Sequence, residues 1–328
     1  MLLRILKSNN LFSTLLIPSI GILFWMHSFQ TSLLFDIQSA NGAMPLYNLA
    51  YSLLKEQAFW QVFVGFSLVI INSYFVAILG SSFLFPRKRS YLPGILYLIT
   101  VSSIQSLHSF IPIHFATLFV LISIYFILDT YHRPVEISYT FNASFFMALA
   151  SLFYLPTLIL FPLVWISTFI LQKDDNWRLQ IMPILGFSMP WLFIWTYSFL
   201  NNSTSNLLTN IVNMLWDNHN AYLLDTYFLF LTVVVTIVTI LGSLSVISVY
   251  YRMKVSSRKY FVIFFWMLGL VITPAICLIT IGIEIVAFST IPVAYFFSHF
   301  LLSDQKTIWK DLFTWFYLGT MVFALYFY

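Results

Sequence analysis

The sequence predicts an all-α protein, a polytopic transmembrane bundle of about 11 spans. Three observations carry that expectation. Of 328 residues, 60% are hydrophobic and only 8% charged, against roughly 25% charged in a water-soluble domain. The mean hydropathy is +0.90, more apolar side chain than a soluble core of this size could hide, so lipid is the solvent for most of the chain. The apolar residues also come in runs close to 20 residues, the length that crosses a bilayer as a helix.

Taken in order, the runs lie at 11–29, 59–85, 90–107, 111–128, 138–154, 156–171, 179–200, 223–250, 260–281, 285–302 and 308–327. The first follows Arg4 and Lys7 in the manner of a signal peptide. It lacks a small-residue cleavage site, so it is expected to stay as a first helix that also directs insertion. The runs that meet near Phe110 and near Leu155 are expected to form tight helical hairpins. Pro112 and Pro156 open the second helix of each pair, where the missing N–H has no intrahelical role.

The loops between the runs sort by charge. If every run crosses, one side receives Arg4 and Lys7, then Arg87, Lys88 and Arg89, then Arg133, then Lys173 and Arg178, then Arg252, Lys254, Arg258 and Lys259, then Lys306 and Lys310. The other side receives only Lys55. By the positive-inside rule the N-terminus is cytoplasmic and the C-terminus external. An extra or missing span would send later clusters to the wrong side. The same sorting explains a pI near 9.0 without a nucleic-acid partner. The expected location is the bacterial inner membrane, with membrane lipids as the first partner.

The whole chain, 1–328, reads as one integral membrane domain without soluble domain, linker or repeat. Two external loops exceed a turn, 30–58 and 201–222. In the first, Met44-Pro45-Leu46-Tyr47-Asn48-Leu49-Ala50-Tyr51-Ser52-Leu53-Leu54 has apolar residues at helical spacing. It fits a short amphipathic helix at the membrane surface, or a connector packed on the bundle. The high aromatic content fits Phe facing lipid, with Trp and Tyr at the interfaces.

Several chemistries are excluded. Cys277 is the single cysteine, so no disulfide within the chain and no zinc framework can form. No phosphate-cradling glycine loop, nucleophile elbow or dinucleotide fingerprint occurs. No metal and no cofactor is expected. Charge is absent from mid-membrane depth, where it would cost about 2.5–3.5 kcal/mol per residue, and that absence disfavours ion-coupled transport. The interior polar groups Asn72, Gln105 and Asn142 suit hydrogen bonds between helices.

Chemistry is left to the external side, which collects Asp36, Glu56, Asp217, Asp225 and Glu284 with His27, His108, His114 and His219. Asp36 follows the first span within Leu33-Leu34-Phe35-Asp36-Ile37. Apolar neighbours raise a carboxylate pKa, as a general base requires; a solvated loop Asp or a helix cap is the plainer reading. Glu284, in Ile281-Gly282-Ile283-Glu284-Ile285, lines the same cavity or marks the water boundary of a hairpin. His108 and His114 bracket Ser109-Phe110-Ile111-Pro112-Ile113, as polar turn residues or as neutral donors to a phosphate. A third metal ligand is missing from that pair.

Two stretches, Phe85-Pro86-Arg87-Lys88-Arg89-Ser90-Tyr91-Leu92-Pro93 and Phe141-Asn142-Ala143-Ser144 continuing to Ser151-Leu152-Phe153-Tyr154-Leu155-Pro156, resemble a family of bacterial polytopic inner-membrane proteins with no assigned activity. The overall layout is also similar to the C-type membrane glycosyltransferases, which take sugar from a polyprenyl-phosphate donor. The resemblance implies that Asp36 is the catalytic carboxylate, soon after the first helix. Ile37 stands where many of those enzymes carry a second acid. Those enzymes commonly hold the carrier phosphate with an external Arg or Lys, where this chain offers only Lys55 and the histidines, so His108, His114 or Lys55 is expected to bind it.

The leading expectation is a glycosyltransferase-like protein working on the external face with a lipid-linked sugar. The alternative is a non-enzymatic integral subunit of an envelope assembly or secretion complex, binding other envelope proteins. A lipid or polysaccharide flippase is third, because it needs a polar groove through the bundle.

Overall fold

The computed structural model describes residues 11–31, 44–54, 58–85, 90–131, 137–171, 177–216, 226–277, 286–303 and 308–326. Among them there is no β-strand. Asp36, Lys55 and Glu284 lie outside the described residues.

The helices are α1 (Leu11–Thr31), α2 (Pro45–Ser52), α3 (Ala58–Leu79), α4 (Leu92–Ser102), α5 (Pro112–Asp129), α6 (Ile137–Phe153), α7 (Pro162–Leu171), α8 (Trp177–Leu200), α9 (Thr204–Trp216), α10 (Thr226–Val249), α11 (Val255–Cys277), α12 (Val286–Leu302) and α13 (Ile308–Tyr326). Among the described residues, each of the eleven apolar runs contains a helix. Five helices are long and apolar enough to cross a membrane: Phe59–Leu84, Pro112–Asp129, Trp177–Leu200, Phe230–Arg252 and Val255–Thr273. They mark the chain as a membrane protein. Thr14–Gln30, Leu92–Ser102, Ile137–Phe153, Leu155–Leu171 and Val286–Leu302 are shorter apolar helices.

Neighbours in sequence are often not neighbours in space, which corrects the expected hairpins. α4 packs on α3 and α12, and α5 packs on α3 and α6, so the helices joined near Phe110 do not lie along each other. α3 takes the intervening position because Gly94 of α4 has no side chain. A Cβ there would sit 2.9 Å from Ala77 Cβ, and Ser73 donates its hydroxyl to the Gly94 carbonyl at 2.9 Å. Near Leu155, α6 turns to α5 and α8, whereas α7 lies mainly on α11. The 3-10 segment Leu155–Leu160 carries the chain away before Pro162 opens α7. Six residues at a 3-10 rise cover about 12 Å, more than the usual 8–10 Å between packed helices.

Apolar packing alone gives little association in lipid, so small residues and hydrogen bonds hold these helices. The Tyr295 hydroxyl of α12 donates to the Val76 carbonyl of α3 at 3.0 Å, and Ser123 of α5 donates to the Ala143 carbonyl of α6 at 2.7 Å. Tyr74 of α3 reaches the Thr14 carbonyl of α1 at 2.7 Å. Gly186 lets α8 lie against Phe141 and Ser144 of α6, and Trp191 Nε1 donates to Ser151 Oγ across the same contact at 3.0 Å.

The segment expected as a second external loop, 201–222, contains α9. Leu207, Leu208, Ile211 and Met214 share one side at helical spacing, with Asn206, Asn210 and Asn213 between them. α8 ends in a left-handed Asn202 (φ 51°), with Asn202 N–H bonded to Phe199 O and Ser203 N–H to Ser198 O. That pattern is a Schellman stop, and it redirects the chain into α9.

The bundle has two chemically distinct ends. Lys259 Nζ donates to the Leu171 carbonyl at 3.2 Å and lies over the Tyr131 ring. Arg258 covers Tyr250, Phe85 touches Phe261 and His299, and Lys310 donates to the Ser303 carbonyl at 3.1 Å. The ends of α5, α7, α11 and α12 therefore meet where these cations are. At the other end, α2, the turn 103–111, the segment 154–160 and α9 come together.

Candidate functional site

The second end is where two of the sequence-derived site residues can be placed. α1 presents Trp25 and Ser28, three residues apart on one face and both buried. α4 ends at Ser102, and a short 3-10 turn, Gln105–Leu107, leads to His108. His108 is 1% and His114 2% exposed.

The bonding of His108 fixes its tautomer. Nε2 lies 2.7 Å from the Ser102 carbonyl and Nδ1 lies 2.8 Å from Ser28 Oγ. A carbonyl only accepts, so Nε2 carries the proton, and Nδ1 accepts from the Ser28 hydroxyl. Trp25 stacks on the imidazole at 4.4 Å and 18°, and its Nε1 donates to Ser102 Oγ at 3.0 Å. Both nitrogens of His108 thus have partners inside the protein. The residue sits in the turn between α4 and α5, and burial pushes its pKa well below the ordinary value, to about 4. It is a neutral hydrogen-bonding group at physiological pH.

His114, in the first turn of α5, donates from Nε2 to the Leu107 carbonyl at 2.8 Å. Its own carbonyl accepts from Asn72 Nδ2 of α3 at 3.0 Å. Asn72 Oδ1 and Gln105 Oε1 are buried without a partner among the described residues. Asn72 is therefore an interhelical donor, as the sequence suggested. Nothing in the sequence announced Trp25, Ser28 or Ser102: they are ordinary residues in apolar runs, and their partners are 77 and 80 positions away.

The first loop is fastened onto this turn. Tyr47 of α2 donates its hydroxyl to the Phe110 carbonyl at 2.8 Å and stacks on the Phe110 ring at 5.6 Å. Met44, 1% exposed, packs with Leu152 and Leu155, and Leu46, Trp191, Ile194, Ile211 and Met214 close around them. Gln61 Nε2 at the start of α3 holds the Leu54 carbonyl at 3.0 Å. Gly65 admits the turn backbone: a Cβ there would sit 3.0 Å from Ser109 C. α2 lies across the bundle end as an amphipathic helix, with Tyr47 buried and Leu49 and Leu53 exposed.

No protein-family model matches the chain, and no curated protein matches it. The geometry therefore carries the functional reading by itself. Among the described residues no group of three His, Cys, Asp or Glu could hold a metal. What the site offers is hydrogen bonding by neutral groups, on a braced turn against which α2 is docked.

Proposed function

We propose that the chain is a multi-pass protein of the bacterial inner membrane, with eleven spans, a cytoplasmic N-terminus and an external C-terminus. We further propose a glycosyltransferase-like centre at its external end, fed by a lipid-linked sugar donor. The observation that supports this most is the docking of α2. Tyr47 is bonded to the Phe110 carbonyl and Met44 packs on Leu152 and Leu155, so α2, which follows Asp36 and precedes Lys55 in sequence, is fixed at this end of the bundle.

In this reading Asp36 is the general base. Its carboxylate takes the proton of an acceptor hydroxyl as that oxygen attacks the anomeric carbon. The bond from that carbon to the polyprenyl-phosphate oxygen breaks, and the phosphate leaves with its electron pair. Lys55, directly after the anchored Leu54, neutralises that phosphate, and Glu284 lines the acceptor side. His108 and His114 brace the turn behind the reacting groups. The polyprenyl tail lies between helices, where each buried methylene contributes about 0.8 kcal/mol. The test is Asp36→Asn in membrane vesicles given a labelled polyprenyl-phosphate sugar. Transfer should be lost while the protein inserts normally; undiminished transfer excludes this mechanism.

A second reading, a subunit of an envelope assembly, has an observation of its own. α8 leaves Trp177, Phe193, Trp195, Tyr197 and Phe199 exposed, aromatic surface on which a membrane partner can pack. Purification in mild detergent discriminates: a stoichiometric partner favours this reading, and a lone active transferase rejects it.

A further inference from the structure

A small cavity lies among α5, α6 and α7, away from the histidine turn. Its volume is about 10 Å³, and its walls include Ile127, Val164 and the hydroxyl-bearing Thr130, Thr140, Ser167 and Thr168. Thr140 is 2% exposed, and its Oγ1 has no hydrogen-bond partner. A buried hydroxyl left unpaired keeps its full desolvation penalty, so this group calls for a hydrogen-bonding occupant.

The other three hydroxyls define which occupant. Thr130 Oγ1 donates to the Phe126 carbonyl at 2.8 Å, Ser167 Oγ to the Val164 carbonyl at 2.6 Å, and Thr168 Oγ1 to the Trp165 carbonyl at 2.7 Å. Their protons are committed to their own helices, so toward a ligand they act as acceptors. Thr140 alone keeps a free proton. The cavity thus presents several acceptors and one donor. A cation does not suit it: the lining contains no acid, and Lys259 Nζ already sits on the carbonyl of Leu171, another wall residue. An organic ligand is too large. One water needs roughly 10–15 Å³ and two to four polar partners, and both conditions are met.

We propose that this cavity binds a single buried water molecule, which accepts from Thr140 and donates to hydroxyl oxygens of α5 and α7. The water then acts as a three-helix link, adding α7 to the direct α5–α6 bond from Ser123 to the carbonyl of Ala143, another wall residue. It is independent of the transferase reading.

The test compares Thr140→Val, which keeps the shape and removes the hydroxyl, with Thr140→Ser, which keeps the hydroxyl, in the purified full-length protein. A bound water predicts that Thr140→Val lowers Tm by roughly 2–4 °C, that Thr140→Ser keeps it within about half that loss, and that a water-resolving map of the wild type has a peak between the three helices. A dry cavity predicts the opposite sign, because a methyl then replaces an unpaired hydroxyl: an unchanged or higher Tm for Thr140→Val overturns the proposal. So does an empty cavity in the wild-type map, which needs no variant to fold.

Discussion

Replacing glycine by alanine at two positions should change stability in opposite directions. Gly242 is in α10, against α12. A Cβ built there would stand 2.7 Å from Phe296 C, 2.9 Å from its Cβ and 2.9 Å from its O. These are backbone or near-backbone atoms that no rotamer change can move. Ordinary contact begins at 3.4 Å, so α10 and α12 must part by some tenths of an ångström. Overpacking of this kind costs about 1–3 kcal/mol, and the helix propensity gained with alanine returns about 0.5–1 kcal/mol. Gly242→Ala should therefore destabilise, by up to about 2.5 kcal/mol. Gly269 of α11 has nothing within 4 Å of the same built atom. Gly269→Ala should keep only the propensity gain, about 0.5–1 kcal/mol in the stabilising direction. Thermal unfolding of the two variants in one detergent measures the difference directly, since reference-state effects of Gly→Ala are shared. Equal Tm values for the two variants would refute the inferred α10–α12 contact and the use of Gly242 as a spacer.

Two further outcomes concern the loop and the turn. Tyr47→Phe keeps the stacked ring but leaves the Phe110 carbonyl unpaired, so α2 should loosen by about 0.5–1.5 kcal/mol; faster proteolysis within 44–54, at a nearly unchanged global Tm, checks it. His108 is held neutral by burial, with its folded pKa near 4 below the ordinary 6.5. The unfolded chain therefore binds the extra proton first, and the stability from this residue is complete above pH 6.5 and declines as pH falls toward 4. His108→Gln, which retains a donor and an acceptor, should flatten part of that decline in a Tm-against-pH series; an unaltered slope contradicts the assignment.

The helices were legible because the signals for them are local. Hydropathy and run length predicted all eleven apolar segments, and the spacing within Met44–Leu54 predicted α2. α9 was missed for a local reason too. Polar tracts at Asn201-Asn202 and Asp217-Asn218 frame it, and its Asn residues masked the Leu207–Ile211–Met214 stripe. Pairing was illegible for a different reason. Which helix lies beside α4 depends on the absence of a Cβ at Gly94 and on one serine of α3, and neither stands out among 328 residues. His108 and His114 were visible as candidates. Their partners were not, because a Trp or Ser in an apolar run carries no mark of what it will touch.

The placement of the two histidines bears on how the proposed centre can work. A charged imidazole at either position would need its desolvation offset, whereas a neutral one costs only its hydrogen bonds, and those are supplied by Ser28, Ser102 and Leu107. The bonds join α1 to the end of α4, and the end of α4 to the start of α5. Tyr47 and Phe110 extend the connection to α2. The last described turn of α1, from which the 32–43 segment departs, and the helix at which it arrives thus share one hydrogen-bonded support. A base placed between two such fixed points loses less freedom on reaching a substrate than one on an untethered loop, which is what positioning contributes to catalysis. In the proposed transferase, activity at this end would therefore depend on the buried neutral groups without their touching substrate. On that logic Ser28→Ala, which removes the donor to His108 Nδ1, should lower transfer by weakening the support, whereas Asp36→Asn should abolish it.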